Sequence, residues 1–152
     1  MGIERALGRH FLADFFCCDQ KVITDLDALD EALNEASHIA NVHVIKRYFH
    51  KYSPHGITGI LILEESHIAI HTWPEFDYVA ADAFTCGDKS FVLGMTYLKV
   101  ALGAKYISHI TEMERGRIPA VYLGRYRELH PELDTEKEEG RDGSKPPVNP
   151  RV

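Results

Sequence analysis

The sequence predicts an α+β fold, a two-layer sandwich in which a mainly antiparallel sheet carries its helices on one face. Three observations carry that prediction. Stretches rich in β-branched and aromatic residues recur at 7–17, 42–52, 57–63, 67–73, 78–86 and 105–113. Apolar residues return at helical spacing in only two places, from Thr24 to about residue 40 and from about Ser90 to Leu102. Four of the strands follow one another with no helix between them, so the order β-α-β-β-β-β-α-β favours antiparallel pairing.

Taken in order, residues 7–17 (LGRHFLADFFC) hold Leu12, Phe15 and Phe16 in a short apolar block suited to a strand. Thr24 or Asp25 can then cap a helix whose face is Val22, Leu26, Leu29, Leu33, Ala36 and Ala40, with Asp25, Asp27, Asp30 and Glu31 near its positive end. Residues 42–52 read as a strand, and Ser53-Pro54-His55-Gly56 as the turn that reverses it. Residues 57–63 are nearly all apolar, the pattern of a strand covered on both faces. Pro74 to Asp77 separate the next two strands as a hairpin connection. A second helix presents Phe91, Met95, Leu98 and Leu102 on one face and stops at Gly103, before a last strand from Lys105 to Met113.

Composition excludes several classes of function. With 152 residues, 45% hydrophobic and 26% charged, the chain fits one globular domain, placed at residues 1–127. Residues 128–152 hold seven acids, four bases and four prolines and are expected to form a flexible polar tail. No apolar run approaches the length of a membrane-spanning helix, and charges interrupt the N-terminal apolar residues, so no membrane partner and a cytoplasmic location are expected. The net charge of −6 and the lack of a basic cluster with interleaved aromatics argue against nucleic acid. Three cysteines, of which Cys17 and Cys18 are adjacent, suggest reduced thiols. A sheet covered on one face leaves the other to water or to a second copy, so a homodimer is expected.

Residues 64–88 concentrate the chemistry: Glu64, Glu65, Ser66, His67, His71, Trp73 and Cys86. A hydroxyl, an imidazole and a thiol could be a nucleophile, a base and an acid. They could also be a hydrogen-bonded surface serine, a structural histidine and a small hydrophobe. His67, His71 and Cys86 are potential metal ligands, but an i, i+4 pair on a strand lies on one face and well apart, so no metal is expected. A Ser/His/Asp hydrolase with Asp82 as third member lacks the Gly-x-Ser-x-Gly elbow.

The block ESHIAIHTWPE, followed by YVAADAFTCGD, strongly resembles the S-adenosylmethionine decarboxylase family of bacterial and archaeal type. The resemblance runs from LGRHFLADFFCCD, through PHGITGILILEESH, to MERGR at 113–117, and leaves the tail without a counterpart. It implies a proenzyme that cuts itself between Glu65 and Ser66. The cofactor is then a pyruvoyl group generated from Ser66, which holds the amine of a small-molecule substrate as a Schiff base in place of pyridoxal phosphate.

The same resemblance assigns roles by position. Ser66 is the pyruvoyl precursor, His71 the proton acceptor in processing and Cys86 the proton donor in decarboxylation. Glu65 supplies the attacked carbonyl and Thr58 a hydroxyl that assists processing, while Tyr52 and Trp73 stand where aromatic rings would flank a purine. The implied assembly is a dimer of cleaved heterodimers. A decarboxylase of arginine or ornithine on the same scaffold, or a binding homologue that never cuts, would share these features. Ser66 and His71 are five apart, so a bend near the junction or action across the sheet is required. Asp77 faces either a cationic substrate group or water.

Overall fold

A computed structural model of the chain describes residues 6–131. The strands are β1 (Gly8–Phe16), β2 (Val44–Lys51), β3 (Ile57–Leu63), β4 (Ser66–Trp73), β5 (Tyr78–Cys86), β6 (Tyr106–Ile107) and β7 (Thr111–Arg115). The helices are α1 (Gln20–Ile23), α2 (Leu26–Ile39), α3 (Val92–Ala101) and α4 (Ala120–Leu129). One sheet runs in the order β2-β3-β4-β5-β1-β6, with β7 also paired to β1 and every pairing antiparallel. The expected α+β class and antiparallel sheet are therefore what the chain adopts.

Alternation along the strands decides which face meets the helices. Phe11, Ala13, Phe15, Leu61, Ile68, Ile70, Val79, Ala81 and Ala83 point to one side and form the core with Leu29, Leu33 and Ala36 of α2 and Met95 and Leu98 of α3. The helix face expected at Phe91, Met95, Leu98 and Leu102 is fully buried. Asp25 caps α2 by accepting from the Asp27 and Ala28 N–H groups, and Gly103, at φ +61, ends the α3 segment where a side chain would meet Asp19. Gly59 lies beneath the Phe49 ring, which occupies the place a Cβ would take.

Residues 57–63 depart from expectation on their second face. Ile60 is exposed and Ile62 half-buried, because no described residue of the unit ending at Arg117 covers that side of the sheet. The same open face carries His10, Leu12, Asp14, Phe16, Thr58, His67, His71, Trp73, Tyr78, Asp82 and Phe84, by the alternation of their strands. The last expected strand is divided. Ser108 breaks the ladder by taking the Asp14 N–H on its hydroxyl at 2.9 Å, so β6 pairs with Phe15 and Phe16 and β7 with Gly8 to Leu12.

The chain forms two compact units, one ending at Arg117 and the other containing α4. The boundary expected at residue 127 falls inside α4, and residues 132–152 of the expected tail lie outside the described residues. No helix among the described residues is long and apolar enough to cross a membrane.

Candidate active site

β3 and β4 are joined by two residues only, Glu64 and Glu65, with Leu63 paired to Ser66. Two-residue hairpins are normally built on positive φ angles inside the loop, supplied by Gly, Asn or Asp. Here Ser66 takes the positive φ, +150°, and neither glutamate does. A side chain in that region costs on the order of 1–3 kcal/mol. The serine of the expected junction thus takes the unusual backbone angle, but β4 pairs without interruption from Ser66 to His71, so no bend brings these two residues together.

The carbonyl before Ser66 is held from outside the hairpin. The Cys86 N–H donates to the Glu65 carbonyl oxygen at 2.9 Å, because Ser66 is in register with Thr85 at the end of β5. The Glu65 carboxylate is held too. It accepts from the His43 N–H at 2.9 Å, lies 3.0 Å from His43 Nδ1 and accepts from Lys89 Nζ at 2.7 Å. Burial pushes this carboxyl up, but the hydrogen bonds from His43 and Lys89 outweigh it and hold the pKa at about 2, below an ordinary value of 4.5.

A depressed carboxyl stabilises the fold above its unfolded pKa and loses that contribution as pH falls through its folded one. Between pH 5 and pH 3 the Ser66→Ala protein should therefore lose about 2 kcal/mol more in urea unfolding than Ser66→Ala carrying Glu65→Gln. Equal losses in the two would show that the clamp on Glu65 adds no stability.

Ser66 has a neighbour that was not among the expected site residues. Its Oγ lies 3.5 Å from His67 Nδ1, and His67 Nε2 lies 3.2 Å from Asp82 Oδ2, which His10 Nε2 also approaches at 3.3 Å. Phe84 packs against both imidazoles. Asp82 stood in the sequence only as the third member of a hydrolase triad, and His10 had no signal beyond alternation toward the open face. The expected ligand types His67, His71 and Cys86 are not brought together as a group. Among the described residues, the ligand atoms of His10, His67 and Asp82 are those within 4.8 Å of one another.

The remaining expected site residues gather at the other end of β4. His71 Nδ1 lies 2.9 Å from Thr58 Oγ1, its cross-strand partner. Both line a cavity of about 350 Å³ together with Tyr52 and Trp73. His71 is five residues from Ser66 along an extended strand, about 17 Å. The seven residues expected to share one site therefore form two groups in a single copy: Glu65, Ser66 and Cys86 at one end, and Tyr52, Thr58, His71 and Trp73 at the other. Asp77 belongs to neither. Its carboxylate accepts from the Gln20 side chain and its carbonyl from the Cys18 N–H, so it serves the loop packing.

Comparison with known proteins gives one family. The family model for S-adenosylmethionine decarboxylase matches residues 9–116. An S-adenosylmethionine decarboxylase proenzyme of Acidithiobacillus ferrooxidans is 43% identical over 118 residues, covering 75% of this chain and 86% of the relative. One from Pelotomaculum thermopropionicum is also 43% identical, covering 77% and 93%. The crystal structure of the adenosylmethionine decarboxylase from Aquifex aeolicus superposes with a TM-score of 0.69 at 37% identity, covering 76% of this chain and 96% of that one. The junction, the sheet that frames it and these matches agree, and the chain belongs to the S-adenosylmethionine decarboxylase family.

Proposed function

We propose that this chain cuts itself between Glu65 and Ser66, converts Ser66 to a pyruvoyl group and decarboxylates S-adenosylmethionine, making the aminopropyl donor for spermidine and other polyamines. The observation that carries the processing reading is the hydrogen bond from the Cys86 N–H to the Glu65 carbonyl, beside a serine held at positive φ. The names of the relatives favour S-adenosylmethionine over arginine or ornithine.

The residues present fit a group made in place. The Ser66 hydroxyl adds to the Glu65 carbonyl carbon, and the Cys86 N–H stabilises the charge that develops on the oxygen. Replacing the Glu65–Ser66 amide by an ester frees the strained backbone at Ser66. A base must then remove the Ser66 α-proton, which expels the main-chain carboxylate of Glu65 as the new C-terminus of residues 1–65; His71 of the facing copy, oriented by Thr58, is that base. The dehydroalanine left at residue 66 tautomerises to an imine. Water hydrolyses it, placing its oxygen on the former α-carbon and releasing the serine nitrogen as ammonia, so that residues 66–152 carry a pyruvoyl-blocked N-terminus. The pyruvoyl group supplies an electron sink for the carbanion left when carbon dioxide departs. The Cys86 thiol returns a proton to the substrate α-carbon, and Tyr52 and Trp73 offer aromatic faces to the adenine.

Intact mass and a substrate panel test this. Two chains divided at Glu65–Ser66 and carbon dioxide released from S-adenosylmethionine are expected; release from arginine or ornithine instead would overturn the substrate.

The separation of His71 from Ser66 supports a homodimer. Two copies facing each other through their open sheet faces bring the Thr58–His71 pair and cavity of one to Ser66 of the other. The exposed Leu12, Phe16, Ile60, Trp73 and Met113 on or beside that face suit such burial. His71→Ala and Ser66→Ala chains, each uncut when made alone, should on co-refolding give cleavage of the His71→Ala chain only. No cleavage in the mixture would place His71 in service of its own chain.

A further inference from the structure

We infer that His67, oriented by Asp82 and His10, is the base that takes the Ser66 hydroxyl proton in the first step of self-cleavage; this rests on the processing reading above. A serine hydroxyl is a weak nucleophile until a neighbouring base accepts its proton. His71 cannot serve this step within one copy, being about 17 Å along the strand. His67 Nδ1 is 3.5 Å from Ser66 Oγ, a separation that a small rotation of the serine closes.

The other side of the ring sets its protonation. With the Asp82 carboxylate 3.2 Å from His67 Nε2, the imidazole proton resides on Nε2 and the Nδ1 lone pair faces the hydroxyl. His10 Nε2 donates to the same carboxylate oxygen, and Phe84 packs on both rings, so the imidazole has little freedom to turn away. The arrangement places a nucleophile, a base and an orienting carboxylate in line, drawn from β4 and β5, with β1 behind them.

The step balances without a co-reactant. The Ser66 hydroxyl proton passes to His67 Nδ1 as the Oγ–carbon bond to Glu65 forms. The bond from that carbon to the Ser66 nitrogen then breaks, and the proton returns from His67 to the departing nitrogen. An amide has become an ester, with no net gain or loss of atoms.

The test follows self-cleavage of full-length precursors, refolded from the unfolded uncut chain, by intact mass. His67→Ala should slow formation of the ester by 100-fold or more, within the range a general base contributes. Added imidazole should restore much of the rate in proportion to its concentration. His67→Gln, which can keep a hydrogen bond to Asp82, should be equally slow, and Asp82→Asn should be slowed as well. Hydroxylamine, which cuts esters and spares amides, should leave the His67→Ala precursor whole.

Several results would overturn the inference. One is wild-type speed in His67→Ala or His67→Gln; another is slow cleavage that imidazole does not accelerate, which marks a structural role. A hydroxylamine-sensitive His67→Ala precursor would move His67 to a later step. Wild-type cleavage that stops in a chelator and resumes with zinc would make His10, His67 and Asp82 a metal site. A wild-type precursor that never cuts overturns the processing reading itself; a wild type that cuts beside an equally fast His67→Ala overturns this inference alone.

Discussion

Ser66→Ala is expected to remain a single chain of 17.2 kDa and to release no carbon dioxide from S-adenosylmethionine. The substitution removes the hydroxyl proposed to attack the Glu65 carbonyl, while the Cys86 N–H, the Glu65 clamp and the hairpin register do not involve the serine side chain. The loss should therefore be complete without unfolding. Mass spectrometry of the purified protein reads the first effect, and a thermal melt within a few degrees of the uncut wild type reads the second. Fragments 1–65 and 66–152 appearing from Ser66→Ala would mean that the nucleophile lies elsewhere.

Cys86→Ala is expected to separate the two roles proposed for one residue. The backbone N–H that donates to the Glu65 carbonyl survives the substitution, so the chain should still divide at Glu65–Ser66. The exposed thiol does not survive it, and turnover of S-adenosylmethionine should fall by about 10²–10⁴-fold, the usual share of a general acid. Normal turnover in Cys86→Ala would remove the acid role. A chain that stays uncut would show that processing needs the thiol and not only the N–H. Cys18 is no substitute donor: burial, with Asp77 and Cys17 nearby, pushes its thiol up to about 11.

Much of the fold was legible because its signals are local. The apolar period of α2 and α3 and the β-rich stretches of β1, β4 and β5 each read correctly from 14 residues or fewer. What escaped lacked such a pattern. α1 is a single turn whose sign is only the Asp19 cap on Lys21, and α4 buries no residue, so it has no apolar stripe to find. The division between β6 and β7 depends on one side-chain hydrogen bond, from the Asp14 N–H to Ser108, residues 94 positions apart.

The candidate site divides along the same line. By itself the sequence singled out the residues expected to do the chemistry, Glu65 and Ser66 at the junction, Thr58, His71, Cys86 and the aromatic pair Tyr52 and Trp73, and the family to which the chain belongs. Tertiary structure alone decided how they are arranged. It set the Glu65 carbonyl against a backbone N–H, which has no side-chain signature, and it brought His10 and Asp82, 72 residues apart, to His67 through the order of β1, β5 and β4. It also placed His71 far from Ser66 along β4, the separation on which the proposed homodimer rests. The reason is physical: residue type is local, whereas register and strand order come from the pairing of distant segments, set by the burial of one whole face of the sheet.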